Sequence, residues 1–463
     1  MKNKITGRKV YTGIENISGP IIVVRNIKGV AFGEKVTVLC PDGSKKSGQV
    51  LTINEEYAVI QVFEGTFGLN KEKTRVIFEQ KPIELGVSEK MLGRVLNAMG
   101  EPLDGGPPPI PEKFENIYGY PINPLSREYP RDFIQTGISV IDIMNTVVRG
   151  QKLPVFSGAG LPHNLLTAQI IRQAKLKEKS DKFVIIFAAM GIKSDEAAFF
   201  QRSFSETGVL NNVVSFLNLA NDPPIERLLI PHSALTLAEY LAFEKDMHVL
   251  VVLSDMTNYC EALREVSGAR EEIPSRKGYP GYLYSNLASI YERTGRIQGT
   301  KGSITQIPIL SMPNDDITHP IPDLTGYITE GEIVLNRDLF RLGIYPPISV
   351  LPSLSRLMKD GIGEGKTRAD HPHLASQLYG SYSYVNTTRA LASVIGIEEL
   401  SELDKDYMRF GEAFERNFVN QDFYENRTIE ESLSLAWKIL RNLKDSELTR
   451  LTKEEIEKFG LID

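Results

Sequence analysis

No apolar run in this sequence reaches the ~18 residues that a bilayer-crossing helix needs. Val249 to Leu253, for example, is strand-sized. The amino end, Met1-Lys2-Asn3-Lys4-Ile5, is basic but lacks a following apolar core, so no secretory signal is expected. The expected location is the cytosol, unless a partner docks the chain to a membrane. Cysteine is scarce: Cys40 and Cys260 lie far apart and make neither a zinc pattern nor a disulfide framework, so both read as buried or incidental thiols. The six histidines are scattered, with His371-Pro372-His373 the one close pair. Without a cysteine or carboxylate cluster to complete a ligand set, that pair reads as polar loop surface and no metal site is expected. Positive charge is not in excess either. A formal net charge of -6 argues against wrapping nucleic acid over the whole surface, although a local basic groove would escape the count.

What is present is a long chain of ordinary globular composition. Its 463 residues favour about three domains. From about Lys9 to Glu79, short β-branched runs (Ile21 to Val24, Val36 to Leu39, Val50 to Ile53, Ala58 to Phe63) alternate with glycines and charges, the rhythm of a small antiparallel barrel. Gly86 to Gly106 is rich in glycine and proline, and Pro107-Pro108-Pro109 should stay extended, so a linker or surface strap is expected there. Between about Asp132 and Pro352, buried-strand candidates (Phe183 to Met190, Val213 to Leu219, Val249 to Leu253, Ile304 to Leu310) alternate with amphipathic stretches. This predicts a largely parallel α/β sheet, with ligands gathering at its strand ends. Beyond Thr387 the pattern turns helical. Leu400, Leu403, Tyr407, Phe410, Phe414 and Phe418 fall on one helix face, and Thr428 with Glu431 forms a capping box before a second apolar stripe.

The most informative stretch runs from Leu153 to Thr167. An apolar approach, Leu153-Pro154-Val155-Phe156, leads into Ser157-Gly158-Ala159-Gly160-Leu161-Pro162-His163-Asn164 and then a helical pattern from Leu165 to Ala174. Strand, glycine turn and helix are the setting of a phosphate-binding loop. Laid on G-x-x-x-x-G-K-[ST], however, all four defining positions differ: Ser157 and Pro162 replace the glycines, His163 the lysine, and Asn164 the magnesium-holding hydroxyl. Proline has no N–H to offer a phosphate, and histidine is short and mostly neutral near pH 7. Asp255 follows an apolar strand where a carboxylate would reach magnesium, but without a competent loop it reads as a cap for the turn into Met256-Thr257-Asn258. Ile192 occupies the position from which a glutamate would polarise water, and Asp195 and Glu196 read as first-turn helix charges. Gly361-Ile362-Gly363-Glu364-Gly365-Lys366-Thr367 contains Gly-Lys-Thr at the wrong spacing and without a preceding buried strand, so a flexible charged surface loop is expected. Arg356, just after the last apolar segment, has two readings: a surface ion-pair partner, or an arginine finger lent to a neighbouring protein.

The chain resembles the rotary ATPases, and within them the B subunits of the V-type and archaeal-type enzymes. The residues that carry the match include Gly93-Arg94-Val95-Leu96-Asn97, Gln135-Thr136-Gly137-Ile138-Ser139, Ser254-Asp255-Met256-Thr257-Asn258-Tyr259, Ile273 to Tyr282, Pro322 to Gly331 and Leu351-Pro352-Ser353-Leu354-Ser355-Arg356-Leu357. The altered loop separates it from the catalytic A and β chains. The resemblance implies a multidomain α/β protein: an N-terminal β-barrel (1–79), a central RecA-like, P-loop NTPase-like domain (80–355) and a C-terminal helical bundle (356–463). It implies an alternating A3B3 hexamer with central and peripheral stalks, in which ATP turnover at A–B interfaces is coupled to proton or sodium transport by a membrane sector. ATP or ADP with Mg is then expected at the interface with the catalytic A subunits, and none held tightly by this chain alone. The complex would lie on the inner face of the cell membrane, with no nucleic-acid partner. Arg356 matches the family's finger, Arg270 to Tyr282 the stalk-facing loop, and the barrel the crown. Tyr345, in Leu342-Gly343-Ile344-Tyr345-Pro346, is either inherited packing or a weak nucleotide contact; packing is favoured because a base platform without phosphate ligands holds nucleotide poorly. Two other classes compete: a catalytic RecA-like ATPase with an atypical loop, and a ring-shaped nucleic-acid translocase. The first lacks a water-activating residue and a loop lysine, and the second lacks a basic, aromatic strand-binding module.

Overall fold

The computed structural model describes residues 8–176 and 182–460; the basic Met1 to Ile5 stretch lies outside the described residues. Seven strands open the described chain: β1 (Lys9–Thr12), β2 (Asn16–Ser18), β3 (Ile21–Arg25), β4 (Glu34–Leu39), β5 (Lys45–Ile53), β6 (Tyr57–Val62) and β7 (Arg75–Pro82). They form one curled antiparallel sheet in the order β1-β7-β4-β5-β6-β3-β2. Side chains alternate across each strand, so Val36 and Val38 of β4 point inward with Ile22, Ile60, Val76 and Phe78. The barrel region thus follows from the β-branched rhythm.

The glycine- and proline-rich stretch after it differs from the expected linker. β8 (Glu84–Val87) pairs with β10 (Lys113–Asn116), and β9 (Val95–Leu96) joins the main sheet as an edge strand beside β17 (Val213–Leu219). Leu85, Val87, Met91 and Leu96 are buried in the same core as the sheet. Turn-forming glycines interrupt strands too short to show a period of their own, and burial of those four side chains makes the strap part of the central unit.

The central sheet orders β22-β21-β14-β20-β18-β16-β17-β9. Its strands are β14 (Val155–Gly158), β16 (Phe183–Ile192), β17, β18 (His248–Ser254), β20 (Ser303–Met312), β21 (Gly331–Leu335) and β22 (Ile348–Ser355), with β9 at the far edge. All neighbours run parallel except β22, which is antiparallel to β21. Such strands are covered on both faces, which is why they read as continuous apolar runs. Along β16, Ile185, Phe187 and Ala189 face one core with Phe200 and Phe204, while Val184, Ile186 and Met190 face the other with Ile230 and Leu235. Helices α1 (Ser139–Met144), α2 (His163–Gln173), α3 (Ser194–Glu206), α4 (Pro224–Glu239), α5 (Met256–Ala269), α6 (Leu283–Tyr291), α7 (Pro320–Ile328) and α8 (Arg337–Arg341) belong to this unit. Short pairs complete it: β11 (Arg127–Glu128) with β19 (Gly295–Ile297), and β12 (Phe133–Gln135) between β13 (Val147–Val148) and β15 (Lys175–Leu176).

The carboxyl part is helical: α9 (Met358–Gly361), α10 (His371–Ile395), α11 (Glu402–Ala413), a π-helical turn Phe414–Val419, α12 (Ile429–Leu440) and α13 (Lys453–Phe459). Phe410, Phe414 and Phe418 are fully buried, with successive centroids 5.9 and 5.2 Å apart, and the Thr428–Glu431 capping box is formed. Three expectations change here. Helix begins at His371, well before Thr387, and the histidine pair splits: His371 is buried, with Nδ1 3.0 Å from Thr367 Oγ1 and Nε2 3.1 Å from Ile143 O, whereas His373 pairs with Glu455. Pro372 in the first turn presets a helical start, and that start carries His371 against α1. The Gly361 to Thr367 segment is not a loose loop, because Gly361 and Ile362 are buried and Gly363 N–H donates to Thr367 Oγ1 at 2.9 Å. Both cysteines are buried free thiols. No helix among the described residues is long and apolar enough to cross a membrane.

Candidate functional site

The parallel sheet sets the glycine turn at the carboxyl end of β14, where β20 and β18 also end. Ser157 is fully buried, and its Oγ lies 3.1 Å from His163 Nδ1, so these two replacements satisfy each other. Gly160 takes φ +77°, Leu161 N–H donates to Gly158 O at 3.1 Å, and α2 starts at His163 behind Pro162. Pro162 sits at the N-cap with no N–H and no capping side chain. Asn164 Nδ2 donates to Glu196 Oε1 at 2.9 Å, and the other Glu196 oxygen accepts from Lys193 N–H, which closes the first turn of α3.

The mouth of the turn is filled from two other strand ends. After β20, Asn314 and Asp315 both take left-handed φ, 58° and 54°, and Asp315 Oδ1 would lie 2.1 Å from a Cβ built on Gly158. Arg337, opening α8 after β21, holds both Asp315 oxygens at 2.7 and 3.0 Å and donates to Ala159 O at 2.8 Å. The guanidinium holds the Asp315 carboxyl below the usual carboxylate range. A fixed carboxylate and a saturated carbonyl therefore occupy the space over Gly158. Asp255, at the end of β18, caps α5 by accepting from Thr257 N–H at 2.7 Å and also accepts from Ser311 N–H. Burial pushes its carboxyl up, while the hydrogen bonds to Ser311 and Thr257 and the neighbouring His163 pull it down. Ile192 is buried at the end of β16, and Asp195 and Glu196 lie in the first turn of α3. Among the described residues no cluster of three or more metal-ligating side chains occurs.

Arg356 lies elsewhere. It follows β22 at the edge of the sheet, is exposed, donates its backbone N–H to Glu330 O at 2.9 Å and one guanidinium nitrogen to Thr329 O at 2.8 Å. No ion pair among the described residues engages it. Glu330 N–H in turn donates to Lys152 O, so Arg356 is level with Lys152 at the start of the β14 segment. Ser157 is five residues further along that extended segment, about 16 Å at ~3.3 Å per residue. Arg356 thus lies at the β22 edge of the sheet, about five residues back along the strands from the glycine turn. Tyr345 is partly buried and joins the central unit to the helical part: its hydroxyl donates to Gln169 Oε1 at 2.9 Å, its N–H donates to Asn420 Oδ1 at 2.9 Å and its carbonyl accepts from Gln421 N–H. Burial raises its hydroxyl, so it stays protonated.

Sequence reasoning did not single out Asp315 or Arg337. The usable signal was their position just after apolar strands, the same signal that singled out Asp255.

Over 451 residues the chain is 60% identical to the V-type ATP synthase beta chain of Halothermothrix orenii, covering 97% of each protein. The chain belongs to the V- and A-type ATP synthase beta-chain family. Three family profiles match in chain order: the beta-barrel domain of the ATP synthase alpha/beta family over 14–79, its nucleotide-binding domain over 137–355, and the C-terminal domain of V and A type ATP synthase over 360–460. Among solved structures, the ATP synthase subunit NeqB from Nanoarcheaum equitans superposes with a TM-score of 0.72 at 42% identity, over 91% of this chain and 98% of that one. Barrel, nucleotide-binding-type α/β unit and helical carboxyl domain are therefore the architecture of this ATP synthase beta-type chain, as the resemblance implied.

Proposed function

We propose that this chain is the non-catalytic, regulatory B subunit of a membrane-associated rotary V/A-type ATPase or ATP synthase, and that Arg356 is its arginine finger. In this reading it alternates with three catalytic A subunits in an A3B3 ring, with domains bounded at 1–79, 80–355 and 356–463. ATP synthesis or hydrolysis at the A–B interfaces is coupled through central and peripheral stalks to proton or sodium movement in the membrane sector. Nucleic acid has no part in it.

The observation that carries the reading is the separation of Arg356 from the chain's own turn. A guanidinium at the sheet edge, about 16 Å back along the strands, is too far to reach a phosphate at Ser157–Gly158; it is exposed, forms no close ion pair among the described residues although Glu332 lies within its field, and donates to Thr329 O while the Arg356 backbone N–H donates to Glu330 O. Those features suit a cation presented to a neighbouring protein in the ring. There it would meet the γ-phosphoryl group held by the catalytic partner, where a planar fork neutralises charge that develops in the transition state.

The chain's own turn does not fit Mg-nucleotide. Pro162 offers no N–H, Asn164 stands in for the hydroxyl and is engaged by Glu196, and Asp315 presents a negative charge where a phosphate would lie. No catalytic step is assigned to that turn. Tyr345, with its hydroxyl engaged by Gln169, acts as a packing bridge in this account. The purified chain alone is expected to show negligible ATPase activity, and its mixture with the catalytic partner to hydrolyse ATP. Turnover by the lone chain at a rate comparable to the complex would reject the proposal.

A further inference from the structure

Next to Arg356 in sequence the chain gathers further cations in one place. Alternation along β22 buries Ser353 and Ser355, so Leu354 and Arg356 share the exposed side of that edge. The chain then turns into α9, which carries Lys359 and Asp360. Gly361 brings α9 against the short β12–β13 pair: a Cβ built there would lie 2.6 Å from Val148 Cγ2, and Val148 is the register partner of Phe133. That close approach sets Lys359 and Asp360 beside the stretch Tyr129 to Arg131 that leads into β12. The Tyr129 hydroxyl donates to Asp360 Oδ2 at 3.1 Å and ties the two segments together.

Tyr129, Arg131, Lys359, Asp360 and Lys366 line a hollow of about 500 Å³ between these segments. Arg131 and Lys359 are exposed, and no group among the described residues pairs with either side chain. Lys366 donates to the Asp360 carbonyl and leaves the carboxylate to Tyr129. Of the other acids in this region, Glu330 is matched by Lys152 at 2.8 Å, Glu332 lies in the field of Arg356, and Glu364 does not line the hollow. Three cations against one carboxylate make a local positive excess on a chain whose net charge is -6. Tyr129, 49% exposed at the rim, and Arg131 are of the residue types enriched at protein interfaces.

We propose that this hollow docks an acidic segment of the neighbouring catalytic subunit, with carboxylates set against Arg131 and Lys359. The inference rests on the reading of Arg356 as a finger, because the hollow is continuous with the residue that faces that neighbour. Charge pairs of this kind steer encounter and fix register, so they would set the orientation in which Arg356 is delivered.

Association of the full chain with the catalytic subunit, followed by biolayer interferometry at about 50 mM and about 300 mM salt, tests it. The wild type should bind more tightly at the lower salt. The double variant Arg131→Ser, Lys359→Ser should bind about tenfold more weakly there and lose most of the salt dependence. Arg131→Glu with Lys359→Glu should bind more weakly still. Both positions are exposed, so circular dichroism should show these variants folded. Arg356→Ala keeps the hollow and should associate like the wild type, so its turnover and the association of the hollow variants report the finger and the docking separately. Wild-type association by the double variants, or a loss that is the same at both salt concentrations, would overturn the proposal. Unchanged association with a raised KM for ATP would overturn it too, by assigning the cations to nucleotide phosphates.

Discussion

At the scale of single residues, the altered turn is closed as well as depleted. Loss of the glycines, lysine and hydroxyl was legible because a loop motif fixes each position in sequence, and Ser157, Pro162, His163 and Asn164 could be read one by one. Asp315 and Arg337 were not legible in that way. They reach the turn from two other strand ends, and Asp315 does so through a left-handed backbone that no spacing rule predicts. The consequence is testable at Gly158, where an added Cβ would lie 2.1 Å from Asp315 Oδ1 and 3.0 Å from Arg337 Nη2. Gly158→Ala is expected to destabilise the chain by about 1–3 kcal/mol, the usual cost of overpacking. Adding Asp315→Ala should recover part of the loss, because the two positions are in contact and their effects should not add. Thermal unfolding of the single and double variants reads both; strictly additive losses would show that the carboxylate does not crowd the turn.

At the scale of elements, the buried strands and the aromatic stripe were legible because their periods are long and strong. The strap from Gly86 to Gly106 was not: β8 and β9 are too short to reveal a period, and their place was decided by sheet pairing and burial. The start of α10 was missed for a related reason, since its first turn carries a His-Pro-His sequence that reads as loop. That start has its own pH signature. Burial lowers the His371 imidazole to about 4, from 6.5 for the free group. Between those values the unfolded chain binds a proton that the folded chain refuses, so this contribution to stability is complete above about 6.5 and declines as pH falls toward 4. At pH 5 the decline amounts to about 2 kcal/mol. Asp142 works in the opposite direction, because burial raises its carboxyl to about 7 and acidification then favours the folded form. The comparison that isolates His371 is therefore wild type against His371→Gln. Between pH 7.5 and 5, denaturant titrations should show the wild type losing about 2 kcal/mol more than the variant. Equal pH slopes would mean that His371 is protonated in the folded chain.

At the scale of the whole molecule, three consecutive units follow one another: a barrel, an α/β unit whose own turn is filled by Asp315 and Arg337, and a helical domain fastened to that unit through Tyr345 and His371. The carboxyl end of the sheet, where ligands ordinarily gather in α/β folds, is occupied over Gly158 by Asp315 and Arg337, and the β22 edge carries the exposed guanidinium. Sequence located Arg356 by motif but not its distance from the turn, which needed the β14, β21 and β22 register. That separation is what supports the proposal that Arg356 acts on a neighbouring chain. The most direct measurement is steady-state ATP turnover by A–B hexamers built with Arg356→Ala, their assembly verified by mass. Intact hexamers are expected whose turnover falls roughly a thousandfold or more, with Arg356→Lys also impaired because an ammonium lacks the planar fork. Wild-type turnover in verified Arg356→Ala hexamers would contradict it.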